Sequence, residues 1–241
     1  MFEKFRQRGY ELEHLDKGDY TPEEYEGCIV ELQRINEWLG DARALRNSLL
    51  KDVEDAGLQS FSMLDVGAGS GELLRVAAKW ARERGRTTRL VGLELNARSA
   101  KAILDESHDY PEISSVRGDA FRLPFSNDQF EYAICSLFTH HFRDLQVVGL
   151  LCELARVARR RIFVIDLHRN PIAYYFYTTV GNLFLHNRLI REDGALSILR
   201  SFKPDELQSL GEQAGLVNVS VEKHFPSRLV LSANGATNKS K

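Results

Sequence analysis

The sequence has little charge imbalance, little cysteine and no long apolar run. Of its 241 residues, 32 are Lys or Arg and 34 are Asp or Glu, a formal net charge of −2. That balance leaves no basic footprint for nucleic acid and no polybasic anchor for a membrane surface. The cysteines Cys28, Cys135 and Cys152 are odd in number, stand in apolar periodic segments and lack metal-ligand spacing. They read as reduced core or near-core thiols of a cytosolic protein, and no metal site is expected. No stretch approaches the roughly 18–20 apolar residues of a membrane span. The opening MFEKFRQRGYELEH is charged and has no apolar core, so no signal peptide and a cytoplasmic location are expected. No segment repeats. The length suits one domain with additions and is enough to bury a substantial core.

What is present is concentrated in Phe61–Glu72, FSMLDVGAGSGE. Phe61–Val66 reads as a short buried strand. Gly67, Gly69 and Gly71 then alternate with Ala68 and Ser70, so a ligand can lie against bare backbone. Leu73 to Trp80 carries a helix pattern, which puts the turn at an electropositive helix N-terminus. Strand, glycine turn and helix form the leading edge of a nucleotide-binding α/β unit. The spacing is not the dinucleotide fingerprint G-x-G-x-x-G/A, whose third glycine position falls on Glu72. Asp65 would also repel a pyrophosphate. It suits a ligand that carries an ammonium and a sulfonium, such as S-adenosylmethionine, and counts against a nicotinamide oxidoreductase.

Asp65-Val66-Gly67-Ala68-Gly69-Ser70-Gly71 resembles the first motif of the class I S-adenosylmethionine-dependent methyltransferases. The resemblance implies an α/β fold: a Rossmann-like seven-stranded sheet, mostly parallel with the last strand antiparallel, and here an N-terminal helical arm. It implies S-adenosyl-L-methionine as cofactor, held by Asp65, Gly67, Ala68, Gly69 and Gly71. Strand two, Arg89–Glu94, ends about 20 residues past the turn in a carboxylate that can accept from both ribose hydroxyls, with Leu95 beside it. Gly118-Asp119-Ala120-Phe121-Arg122-Leu123-Pro124-Phe125 resembles the family's third motif. By position, Asp119 inherits the hydrogen bond to the adenine amino group, and Ala120 the backbone contact to the ring. Phe130–Ser136 is strand four. Ser136 at its carboxyl end is expected beneath the methyl group, since open α/β sheets bind ligands there.

Leu137-Phe138-Thr139-His140-His141-Phe142 narrows the resemblance to the small-molecule branch that includes the ubiquinone and menaquinone methyltransferases. His140 and His141 are candidates for a general base. The alternative is that one of them only fastens the loop near the ligand. Arg159-Arg160-Arg161 reads as a solvated charge run that breaks a helix at Leu145–Ala158. Strand five is Ile162–Leu167, with Asp166, His168 and Arg169 at the same mouth and His168 a third catalytic candidate. An aromatic insertion at about 170–200 is expected to form the acceptor pocket, with Tyr174, Tyr177, His186 and Arg188 touching substrate. A packing role for these rings is the competing reading. Glu192-Asp193-Gly194 reads as a turn.

The arm, residues 1–58, contains a helix begun by a Thr21–Glu24 capping box, with Tyr25, Ile29, Leu32, Ile35 and Leu39 on one face. A second helix is capped by Asp41. The arm is either a lid over the site or a pair of helices that closes the sheet edge. Residues 59–232 form the catalytic domain, ending in a helix from Pro204 and an antiparallel strand pair around Phe225-Pro226. Residues 233–241 form a flexible tail. The expected activity is methyl transfer to oxygen or carbon of a small aromatic, quinone-like or polyketide-type acceptor, by a monomer or homodimer. A small-amine N-methyltransferase and a catalytically silent cofactor-binding scaffold are the alternatives. No N-P-P-Y-type motif follows strand four, which speaks against amide, adenine or cytosine amino groups and, with the neutral charge, against nucleic acid.

Overall fold

A computed structural model describes residues 3–21, 23–24, 27–28, 40–181 and 185–235. The Thr21–Glu24 capping box is present, the two backbone N–H groups bonding reciprocally at 3.0 and 3.2 Å. Tyr25, Ile29, Leu32, Ile35 and Leu39 of the helix expected after it lie outside the described residues, as do Leu183 and Phe184.

One seven-stranded sheet runs in the order β3-β2-β1-β4-β5-β7-β6. The strands are β1 (Ser60–Val66), β2 (Thr87–Glu94), β3 (Ile113–Arg117), β4 (Phe130–Ser136), β5 (Ala158–Leu167), β6 (Val217–His224) and β7 (Arg228–Asn234). Strands β1 to β5 are parallel, and β7 runs antiparallel to both of its neighbours. The switch point lies between β1 and β4, where Asp65 is in register with Ile134. Both strands leave their carboxyl ends there, so a crevice opens above them.

Parity along the strands sorts the two cores. Leu64 and Val66 join Leu93, Cys135 and Val164 under the helices α5 (Asp144–Val157) and α8 (Pro204–Gln213). Phe61 and Met63 join Leu90, Ile134 and Ile165 on the other face. That face is covered by α3 (Glu72–Glu83) and by α2, a helix that starts as Asp41–Leu45, widens to a π-turn over Arg46–Leu50 and continues as Lys51–Asp55. Leu45, Leu49 and Val53 of α2 are fully buried, so this half of the arm packs on the sheet. Gly40 at positive φ is its N-cap, while the expected cap, Asp41, is buried within it and grips Arg228 of β7 at 2.5 and 3.0 Å. This two-pronged ion pair, buried on both sides, fixes the helix to the start of β7, beside the carboxyl end of β5.

Three expectations change here. The arginine run is not a solvated break: Ala158–Leu167 is one strand, and its arginines find partners across it. Arg159 pairs with Glu131, and Arg161 reaches Asp52 at 2.5 Å and Ser232 at 2.8 Å. The tail begins later than expected, because Ala233 is buried in β7, paired with Ile162. Cys28 and Cys135 are buried, but Cys152 is exposed on α5. Among the described residues no helix is long and apolar enough to cross a membrane.

Candidate active site

The glycine turn follows β1 directly. Gly67, Gly69 and Gly71 all have positive φ, and the Phe138 ring lies where a Cβ on Gly67 would stand, 2.9 Å away. Any side chain there would displace the ring and close the backbone surface. Gly71 then caps α3.

Asp65 is 2 % exposed, and its Oδ1 has no hydrogen-bond partner among the described residues. Burial, with Glu94 adding repulsion, raises its pKa from the ordinary carboxylate range to about 7. A buried carboxylate with an orphan oxygen on a cavity wall fits a cationic ligand group, which is what an amino-acid ammonium supplies. Glu94 ends β2 with its carboxylate accepting from the Gly69 N–H at 2.6 Å. Burial raises its pKa, against the Gly69 and Leu95 N–H groups that lower it.

The cavity that Asp65 faces has a volume of about 1350 Å³. Asp65, Gly67, Ala68, Gly69 and Ser136 line it; Gly71, Glu94, Leu95, Asp119 and Ala120 do not. Leu95 is exposed, Ala120 is buried, and Asp119 accepts from the Phe121 N–H at 2.9 Å, closing its own loop. The opposite part of the lining is apolar, with Leu15, Cys28, Tyr177, Leu185, Leu189 and Ile190.

His140 and His141 also face this cavity, on a short turn, Thr139–His141, after β4. Their ring centroids are 4.4 Å apart. His140 is buried, and its Nδ1 lies 2.6 Å from Oδ1 of Asp166. Burial pushes Asp166 up, but the His140 imidazole, the Thr139 hydroxyl and the Leu167 N–H outweigh it and hold the carboxyl at about 2. An ionised Asp166 makes Nδ1 the donor. Nε2 faces Glu13, 3.9 Å away. His141 Nδ1 lies 3.5 Å from Asp16. Burial lowers the His141 pKa, yet Asp16 and Glu13 outweigh it and the net shift is upward.

Two guanidinium groups carry this loop. Arg8 is buried and donates to the carbonyls of Phe142 at 3.0 Å and Arg200 at 2.8 Å, and to Asp144 at 2.5 Å. Arg200 donates to the His141 carbonyl at 2.8 Å and to Asp16 at 2.7 Å. The N-terminal residues, read from sequence as a polar stretch with at most a short helix, thus form a wall of the site. They include the helical turn α1 (His14–Lys17), whose first N–H groups donate to Asp193 at 2.7 and 3.1 Å. Sequence reading missed Arg8, Glu13, Asp16, Asp193 and Arg200. One signal was available: Asp193 and Arg200 stand seven residues apart, on one face of a helix among apolar neighbours.

The other candidates are placed elsewhere. His168 is at the mouth of a separate shallow hollow with Lys203 and Lys223, and burial together with Lys223 lowers its pKa. Asp166 lies under His140, and Arg169 is buried against the Phe5 and Ser201 carbonyls, so neither opens to the mouth as expected. Of the insertion, Tyr177 lines the cavity; Tyr174, His186 and Arg188 do not. Tyr174 packs edge-on to Phe5 with the Lys4 ammonium 3.7 Å from its ring centroid. Arg188 pairs with Glu24 at 3.0 Å. The insertion comprises α6 (Pro171–Phe176), a π-turn over Tyr177–Gly181, and α7 (Arg188–Arg200). Glu192-Asp193-Gly194 is therefore mid-helix, not a turn. Gly194 lies under the Tyr177 phenol, whose hydroxyl donates to the Ile190 carbonyl.

Residues 64–165 match the model of a methyltransferase domain. The chain is 28% identical over 161 residues to a 2-phytyl-1,4-naphtoquinone methyltransferase of Nostoc punctiforme, covering 63% of this chain and 67% of the relative. It is 26% identical over 170 residues to a demethylmenaquinone methyltransferase of Bacillus licheniformis, covering 65% and 70%. Among solved structures it shares the fold of a SAM dependent methyltransferase from Aquifex aeolicus, with a TM-score of 0.58 at 15% identity over 83% of this chain and 96% of that one. A magnesium protoporphyrin IX methyltransferase from Synechocystis with bound SAH gives a TM-score of 0.57 at 15% identity, covering 82% and 84%. In sheet order, glycine turn and domain match the chain is similar to the class I S-adenosylmethionine-dependent methyltransferases. Within that class the chain resembles the quinone methyltransferases.

Proposed function

We propose that the chain methylates an oxygen or carbon of a small aromatic or quinone-like acceptor. One observation carries this reading: a single cavity joins an orphaned carboxylate at a glycine turn to an apolar chamber. Its volume of about 1350 Å³ exceeds the roughly 300–1,000 Å³ of a pocket for one drug-sized ligand. It therefore has room for the cofactor and a sizeable acceptor together. The named activities of the quinone methyltransferases it resembles agree with an apolar acceptor.

When bound, S-adenosylmethionine supplies an activated methyl group on a sulfonium. In this reading Asp65 takes the cofactor's ammonium, the backbone of Gly67 to Gly69 takes its flank, and Glu94 at the adjacent strand end takes ribose hydroxyls after releasing Gly69. Asp119 and Ala120, one strand further on, take the adenine. The chain's remaining task is to position the acceptor and handle its proton, since a phenol has a pKa near 10. His141 has an edge on the cavity and is the group placed for that proton; His140, held by Asp166, positions it. His168 lines a separate hollow, not this cavity, and is given no part.

The test is methyl transfer from S-adenosylmethionine to reduced naphthoquinols and hydroxylated aromatics, read as S-adenosylhomocysteine formed and methyl gained by the acceptor. Turnover of these acceptors is expected. Turnover confined to amines, RNA or protein would overturn the acceptor class. Tight cofactor binding without turnover of any acceptor would favour a scaffold.

A further inference from the structure

We propose that Glu13, His140 and His141 form a binding site for a divalent transition-metal ion on the wall of the cavity. One donor comes from the N-terminal segment and two from the turn after β4, and their ligand atoms lie within 4.8 Å of one another. All three residues line the cavity. A tetrahedral donor set at ~2.1 Å from its ion has edges of roughly 3.5 Å, so closure takes about an ångström of side-chain movement.

Three features separate this cluster from a chance meeting of polar groups. First, Asp166 accepts from His140 Nδ1 at 2.6 Å, which fixes the ring with Nε2 on the side of Glu13. A carboxylate behind a ligating histidine is the arrangement that orients imidazole toward a metal. Second, His140 Nε2 and the Glu13 carboxylate lie 3.9 Å apart on the cavity wall, a gap that an ion can bridge. The nearest resident cation, Arg200, is 3.6 Å from Glu13, but its donors are directed to Asp16 and to the carbonyls of His140 and His141. Ser197 donates to Glu13 Oε1 at 2.8 Å, which holds the carboxylate in place and leaves it lone pairs for an ion. Third, Arg8 and Arg200 fix the backbone of the histidine turn, so two of the donors stand on a rigid support.

Two imidazoles and one carboxylate suit Zn²⁺ or Fe²⁺ and leave coordination positions open toward the cavity. An acceptor hydroxyl bound there would lose its proton to water at a lower pH, a task otherwise left to His141. That consequence rests on the proposed methyl transfer; the site itself rests only on the donor set.

The test uses the full chain stripped with a chelator and titrated with Zn²⁺ alone or Co²⁺ alone, without cofactor or acceptor. Expected are one equivalent bound per chain, a visible d–d band for Co²⁺ that Zn²⁺ abolishes, and paramagnetically shifted ring protons from two histidines. Glu13→Gln and His141→Ala should each weaken binding at least about tenfold, roughly 1.4 kcal/mol. Asp166→Asn, which leaves all three donors, should weaken it by about 10–100-fold. S-adenosylhomocysteine titration of each variant checks that its fold is intact. No binding by the wild-type chain, or shifted protons from fewer than two histidines, overturns the site. So does binding unchanged in Glu13→Gln and His141→Ala, since the ion would then sit elsewhere, for instance at half-buried His14 with Asp19 and Glu192.

Discussion

Asp65 concentrates the electrostatics of the cofactor end. Its unfolded pKa is that of an ordinary carboxyl, 3.8, and its folded pKa is about 7 without ligand. A raised carboxyl pKa means that the folded state holds the proton more tightly than the unfolded one. Asp65 therefore destabilises the unliganded fold progressively as pH rises between those values. Pairing with an ammonium reverses this, because the complex needs the carboxylate ionised. Affinity for S-adenosylhomocysteine should thus fall as pH drops below about 7, by up to tenfold per pH unit. Calorimetric titrations between about pH 5 and pH 7 would measure it, and Asp65→Asn should bind weakly with a flat profile over that range. A wild-type affinity independent of pH there would mean that the carboxylate does not meet the ammonium.

At the scale of elements, α7 organises the cavity wall opposite the sheet ends. Its Asp193 caps α1, its Arg200 holds the histidine turn, and its Gly194 admits the Tyr177 ring. A Cβ at Gly194 would overlap the phenol oxygen, and the hydroxyl's bond to the Ile190 carbonyl keeps the ring from moving aside. Gly194→Ala should cost about 1–3 kcal/mol, the usual penalty of overpacking, even though alanine has the higher helix propensity. In a Tyr177→Ala background the same change should cost little. Denaturant unfolding of the four chains gives the coupling, and a value under about 0.5 kcal/mol would show that ring and glycine are independent. Glu-Asp-Gly has the composition of a turn, and read alone it is one; burial of Asp193 against the N-terminal segment overrides that local preference.

Taken as a whole, the molecule places its cavity where β1 and β4 part, and closes it with the N-terminal segment and the insertion. The walls come from segments distant in sequence, so a ligand that bridges them stabilises the folded state by mass action. S-adenosylhomocysteine at about a hundredfold over its Kd should add about 2.7 kcal/mol and raise Tm by roughly 5–10 °C for a chain of this size. A thermal scan with and without the ligand checks this. A Tm unmoved at saturating ligand would mean that the turn does not bind it.

The local sequence determined the sheet and the glycine turn. Strand alternation and the spacing from Asp65 to Gly71 are properties of adjacent residues, and a run of glycines presents bare backbone whatever surrounds it. That is why β4 and the glycine turn could be placed before the fold was known. The rest of the cavity wall was decided only by tertiary structure. Arg8, Glu13 and Asp16 look like solvated charge in a polar N-terminus; Arg8 and Glu13 are buried and Asp16 is paired only because Arg200 and the histidine turn lie opposite them. His168 reads like His140, at the end of a neighbouring strand, but the chain turns it toward Lys223. Arg159 to Arg161 read as surface until Glu131, Asp52 and Ser232 supply partners across the sheet. Charge is placed by its partners, and partners from tens to nearly two hundred residues apart leave no periodicity to read.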